Sequence, residues 1–236
     1  MSTPKINPGR VSLALRAAIV VSAFGYIAQA LSLVAIPLYL GSIGAEGYGL
    51  LVAVLACAAY LGFAEGGMGW GAMIMIAQAC GRGAKNEIAH IVRHSAVVAA
   101  ASGVLLAATV GALLAASAAG LNLPLFESHP GSHRLLLIVA VQLAIQLQCG
   151  VCFNLAQGLQ ESAIPAIYQG IGRVLGVLGA IFAARASGQV EAVLAAQFAG
   201  ASLCAILGAV HIWRRHPWAF VAGSVNDANQ YRAQFK

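Results

Sequence analysis

Residues 134–158 read RLLLIVAVQLAIQLQCGVCFNLAQG, and after Arg134 no Asp, Glu, Lys or Arg occurs before Glu161. A helix rises about 1.5 Å per residue, so roughly 20 apolar residues cross the ~30 Å hydrocarbon core of a bilayer. A strand of a membrane β-barrel needs only about ten residues and alternates in polarity, which this continuous run does not. Its backbone groups must then be satisfied within the segment, and that means a transmembrane helix.

Five further stretches read the same way. Together the six run from Ala17 to Leu40, Tyr48 to Ala79, His94 to Ala119, Arg134 to Gly158, Ile164 to Ala186 and Glu191 to Trp213. Hydrophobic residues make up 60% and charged residues 8% of the 236, too little charge to cover a soluble domain of this length. The fold class is therefore all-α, a polytopic transmembrane helix bundle of six spans. It divides into an N-terminal segment (1–16), the bundle (17–213) and a tail (214–236).

Basic residues give the orientation, because Lys and Arg stay on the cytoplasmic side. Lys5, Arg10 and Arg16 precede the first span, Arg82, Lys85 and Arg93 lie between the second and third, and Arg214, Arg215, Arg232 and Lys236 follow the sixth. These are ten of the 13 Lys and Arg residues; Arg134 and Arg185 fall on the other side, and Arg173 falls inside a span. Both termini are expected in the cytoplasm. The net charge of +6 follows from this topology and from anionic lipid headgroups, so nucleic acid is not expected as a partner.

The second span is longer than a bilayer requires, and it carries Gly66, Gly67, Gly69 and Gly71 just after Glu65. Glycine at that density loosens a helix, so one long helix kinked at this run is expected. Ala28-Gln29-Ala30 imitates a signal-peptidase site, but the apolar run continues to Leu40 and the first span is read as an anchor. The five cysteines, at 57, 80, 149, 152 and 204, show no disulfide framework. Cys149-Gly-Val-Cys152 has the spacing of half a metal site without a second half, so small-residue packing is the reading and no metal is expected.

An ionisable side chain near mid-bilayer costs about 2.5–3.5 kcal/mol on insertion scales, which makes each one a functional candidate. Arg173 and Glu65 qualify. Arg173 follows Gln169 by one turn, and its planar fork suits a phosphate; an ion pair with Glu65 is the structural alternative. In the fourth span Gln142, Gln146, Cys149, Phe153, Gln157 and Gln160 recur at helical spacing, which would put their amides on one face toward a cavity or a neighbouring helix. Gln197, Cys204 and His211 repeat the idea in the sixth span, and Tyr26 and Gln29 in the first. Gly172 and Gly176 are spaced for a close helix approach.

His90 and His94 lack the Glu of a zinc-protease pattern, Ser102-Gly103 lacks the glycine of a nucleophile elbow, and no phosphate-binding loop occurs. The chain is not read as an enzyme, and no cofactor is expected.

Several segments resemble the N-terminal half of the Wzx-like polysaccharide and O-antigen flippases of the multidrug/oligosaccharidyl-lipid/polysaccharide exporter superfamily. Gly44-Ala45-Glu46-Gly47-Tyr48-Gly49 is similar to the turn that enters their second helix, and Leu61 to Gly69 sits where members carry a D-L-G break, with Glu65 in place of Asp. Gln157-Gly158-Leu159-Gln160 is similar to their entry into the following cytoplasmic loop, and Trp218 to Lys236 looks like the linker to a seventh helix. The resemblance implies one lobe of a two-lobed, MATE-like transporter in a bacterial inner membrane. It also implies a lipid-linked oligosaccharide substrate, with polysaccharide-assembly proteins as further partners. On that reading Arg173, Gln169, Gln142, Gln146, Gln157 and Gln29 bind substrate, and Glu65 is a coupling or structural acid. A multidrug or ion antiporter of the same superfamily, or a non-transporting membrane subunit, are the alternatives.

Overall fold

The computed structural model describes residues 8–118 and 132–220, with the side chains of 8–18, 20, 21, 57, 60–68, 117, 118 and 132 outside the described set. Every regular element among them is helical: α1 (Pro8–Gly81), α2 (Lys85–Ala118), α3 (Ser132–Gly158), α4 (Ala163–Ser187), α5 (Val190–Arg215) and a terminal 3-10 turn (Pro217–Ala219). Five helices are long and apolar enough to cross a membrane. The chain is a multi-pass membrane protein.

Helix α1 has 74 residues and would be about 110 Å long if straight, several bilayer cores in length. It is instead two arms joined at Gly44, whose φ of 77° and ψ of 172° only glycine adopts without strain. Contacts with α4 and α3 show that the arms fold back on each other. A Cβ at Gly188 would lie 3.2 Å from the Ser42 carbonyl, and one at Gly47 would lie 3.1 Å from Val190, so both flanks of Gly44 meet the α4–α5 connection. Farther from Gly44, Phe24 near the middle of the first arm packs on Gly170, and Ile76 near the end of the second packs on Gly158, on the two helices that flank the short α3–α4 connection. The arms therefore match the first two predicted spans, and α2 to α5 match the other four. The reversal falls at Gly44, in the turn expected between the first two spans, and helix continues through Glu65–Gly71, where a kink was expected.

The short α1–α2 turn uses Gly83 at a φ of 71°. Arg82, Lys85 and Arg93 thus share one end of the bundle with Arg214 and Arg215, since Arg215 reaches Glu161 of the α3–α4 connection at 3.2 Å. We call this the basic end.

Helices α4 and α5 cross most closely. A Cβ at Gly176 would sit 2.5 Å from the Gln197 carbonyl oxygen, and one at Gly200 would sit 2.7 Å from the Gly176 nitrogen. Lipid tails are as apolar as Leu, so helices associate in a membrane through such close backbone contact rather than through hydrophobic burial. The expected role of Gly172 and Gly176 is realised here, with Gly172 facing Ala201 and Cys204.

Buried apolar side chains gather in two clusters, one at each end. Toward the Gly44 end, Ala35, Tyr39 and Leu51 of α1 pack with residues of α3, α4 and α5 such as Val139, Ala180 and Val193. At the basic end, Ile76, Ile88, Val92, Leu155 and Ile212 form the other, capped by Ala219. The first arm and α4 contribute no buried side chain to that second cluster among the described residues.

Candidate functional site: the Arg173 crevice and the polar faces of α3

Arg173 stands ten residues into the 25-residue α4, about 15 Å from its start and close to mid-helix. Its side chain is exposed. It lines a cavity of about 180 Å³ together with Phe24 and Gly25 of the first arm, Gln157 of α3, and Ser162, Gln169 and Gly170. Among the described residues, the first arm and α4 add no fully buried side chain to the basic-end core beside this cavity. Gly170 shapes its wall: a Cβ there would meet the Phe24 ring at 2.5 Å, so only glycine lets the aromatic lie against α4.

Among the described residues Arg173 has no ion-pair or hydrogen-bond partner; the side chain of Glu65 lies outside that set. A mid-helix guanidinium beside the amides of Gln157 and Gln169 has the charge and the donor geometry to pair with an anion.

The amides expected on one face of α3 meet different neighbours. Gln157 faces the Arg173 crevice, and Gln146 faces a separate cavity of about 370 Å³ bounded by the second arm and α2. Gln142 is 4% exposed, and its Oε1 accepts a hydrogen bond from Ser202 of α5. Gln142 thus ties helix to helix, the plainer of the two roles its spacing allowed. Cys149 and Phe153 are core residues, and Gln160 lies beyond the helix at a φ of 65°, where it ends α3 as glycine commonly does. Tyr26 and Gln29 of the first arm are exposed, and neither lines a cavity with Arg173. In α5 Cys204 is buried, whereas His211 is exposed and its Nδ1 lies 3.1 Å from the Tyr168 hydroxyl.

One cluster has no counterpart in the sequence reading. Glu161 lies 3.2 Å from Arg215 through Oε1 and 3.1 Å from His216 Nε2 through Oε2. The hydrogen bond from His216 lowers the Glu161 pKa below its ordinary 4.5, opposed by partial burial and helped by the charges of His216 and Arg215. His216 is 8% exposed and stands edge-on to Trp218, with ring centroids 6.2 Å apart. The carboxylate therefore clasps the end of α5 and the following turn onto the α3–α4 connection. Residues 55 apart in sequence leave no local periodic signal for such a clasp.

No group of three or more His, Cys, Asp or Glu that could hold a metal ion occurs among the described residues. No family model, curated protein or solved structure matches the chain, so its functional reading rests on its own residues.

Proposed function

We propose that the protein is a transporter lobe of a bacterial inner membrane that binds a polyprenyl-diphosphate-linked oligosaccharide and carries its polar head across the bilayer. The observation that carries this reading is Arg173 at mid-helix in an open crevice with Gln157 and Gln169, without an ion-pair partner among the described residues. A guanidinium stays charged at physiological pH and pairs with phosphate oxygens through two parallel hydrogen bonds. The amides beside it offer neutral donors and acceptors to the adjoining sugar, and the isoprenoid tail remains in lipid alongside the exposed apolar faces of the bundle. Alternating access of this kind holds the site fixed near the midplane while helices rock around it.

The test is binding of a short-chain polyprenyl diphosphate to the protein in phosphatidylcholine nanodiscs. A charge-assisted pair contributes about 1.5–3 kcal/mol, so Arg173→Gln should weaken binding about 10- to 100-fold, with Arg173→Lys between the two. Unchanged affinity in a correctly inserted Arg173→Gln protein would overturn the assignment.

A further inference from the structure

The larger cavity, of about 370 Å³, lies between the second arm, α2 and α3 and shares no lining residue with the Arg173 crevice. Two rows of neutral polar side chains face it. Ser95 and Ser102 are two turns apart on α2, while Gln146 and Asn154 on α3 are two turns apart with Gly150 midway between them. Among the described residues no Lys, Arg, Asp or Glu lines it, and His94 is its titratable member.

Glycine makes this space for a reason opposite to that at the α4–α5 crossing. A Cβ added at Gly71 or Gly150 would meet nothing within 4 Å, so these glycines do not serve helix approach; they leave room. Gly69 lets the Asn154 amide lie across it, 2.9 Å from where a Cβ would stand.

The polar groups are also unspent. Ser32, Thr109 and Ser187 each donate to the carbonyl four residues back, as hydroxyls in apolar helices commonly do. Ser95, Ser102, Gln146 and Asn154 make no side-chain hydrogen bond to any described residue. Their hydroxyls and amides supply donors and acceptors without charge. Walls such as Met75, Val98 and Val151 supply apolar contact. Neutral donors and acceptors over apolar walls match a pyranose ring, which has hydroxyls around its rim and C–H groups on its faces. The volume falls at the low end of ordinary ligand pockets, room for one or two such rings.

The geometry points to a glycosyl-binding site in this cavity, taking an uncharged hexose unit either as the head of a membrane glycolipid or as a free saccharide. It goes beyond the diphosphate reading and does not depend on Arg173.

The test uses the full chain in phosphatidylcholine nanodiscs with tritiated monoglucosyl diacylglycerol as probe. Wild-type protein should bind it at least tenfold more tightly than tritiated diacylglycerol. Gly150→Leu, which fills the cavity, should abolish that preference, and Ser95→Ala combined with Gln146→Ala should reduce it at least tenfold without filling anything. Arg173→Gln should leave it unchanged. Displacement of the lipid by methyl glucoside assigns the site to free saccharides, and failure of displacement assigns it to glycolipid. Equal affinity for the glycosylated and plain lipids would overturn the proposal. So would a preference that survives the Ser95/Gln146 double substitution, which decides the matter if Gly150→Leu does not fold.

Discussion

Replacing Gly176 by Ala tests whether the α4–α5 seam holds the bundle together. The new Cβ would lie 2.5 Å from the Gln197 carbonyl oxygen, whereas ordinary contact begins at 3.4 Å, so the helices must part by about 0.9 Å. The obstacle is backbone and cannot swing aside as a side-chain tip would. A gap of 0.5–1 Å forfeits a quarter to a half of each dispersion contact along the seam, and overpacking of this kind costs about 1–3 kcal/mol. Alanine also gains about 1 kcal/mol of helix propensity, so the informative comparison is Gly111→Ala, where the Cβ meets nothing within 4 Å and the same gain applies. The difference between the two variants should be about 2 kcal/mol, or about 4–8 °C in unfolding midpoint. Cys204, 5% exposed and facing Gly172 across the seam, makes a thiol-reactive fluorophore a reporter of the seam during heating in a background where the other four cysteines are Ala. Equal midpoints for the two variants would refute the claim that backbone contact secures this crossing.

Ser202→Ala should cost about 1 kcal/mol, because it strips the buried Gln142 carbonyl of its donor; adding Gln142→Leu should recover much of the loss, and a double-mutant cycle measures the coupling. Glu161→Gln should loosen the turn at Pro217–Ala219, seen as a red shift of Trp218 emission in a background where Trp70 and Trp213 are Phe. The same clasp sets a pH dependence. Glu161 has a lowered pKa in the folded chain, so its contribution is complete above the ordinary 4.5 and is lost as pH falls through the depressed value. An acid titration of Trp218 emission should therefore show a transition below 4.5 that Glu161→Gln abolishes. Finally, a membrane-impermeant thiol reagent should reach a cysteine placed at Arg82 from the same side as one placed at Arg214, and from the side opposite to one placed at Arg185.

The spans were legible because a bilayer imposes length and apolarity together, and in α3 nothing but Arg134 interrupts the run. The reversal was legible too, since it falls at Gly44 in the turn expected between the first two spans. The kink was not: four closely spaced glycines suggest one, yet a helix in lipid tolerates them and continues through the run. The glutamine stripe showed that amides recur on one face of α3, but periodicity reports direction and not neighbour. Ser202 and the first arm decide that Gln142 is sealed and Gln157 is open. Gly170, which lets Phe24 wall the Arg173 crevice, carried no signal apart from being small, because what it permits lies on a helix far away in sequence.

The unequal sharing of the two apolar clusters has a mechanical consequence. Among the described residues every helix except α2 gives a buried side chain to the cluster near Gly44, whereas at the opposite end the first arm and α4 give no fully buried one, and α4 adds only the partly buried Ile164. Lateral force on the first arm is then resisted by leverage about the Gly44 clamp, while α4 stays tied to α5 through Tyr168 and His211. Small angular deflections there would widen or narrow the gap beside Phe24 by ångströms while the clamped edge stays nearly still.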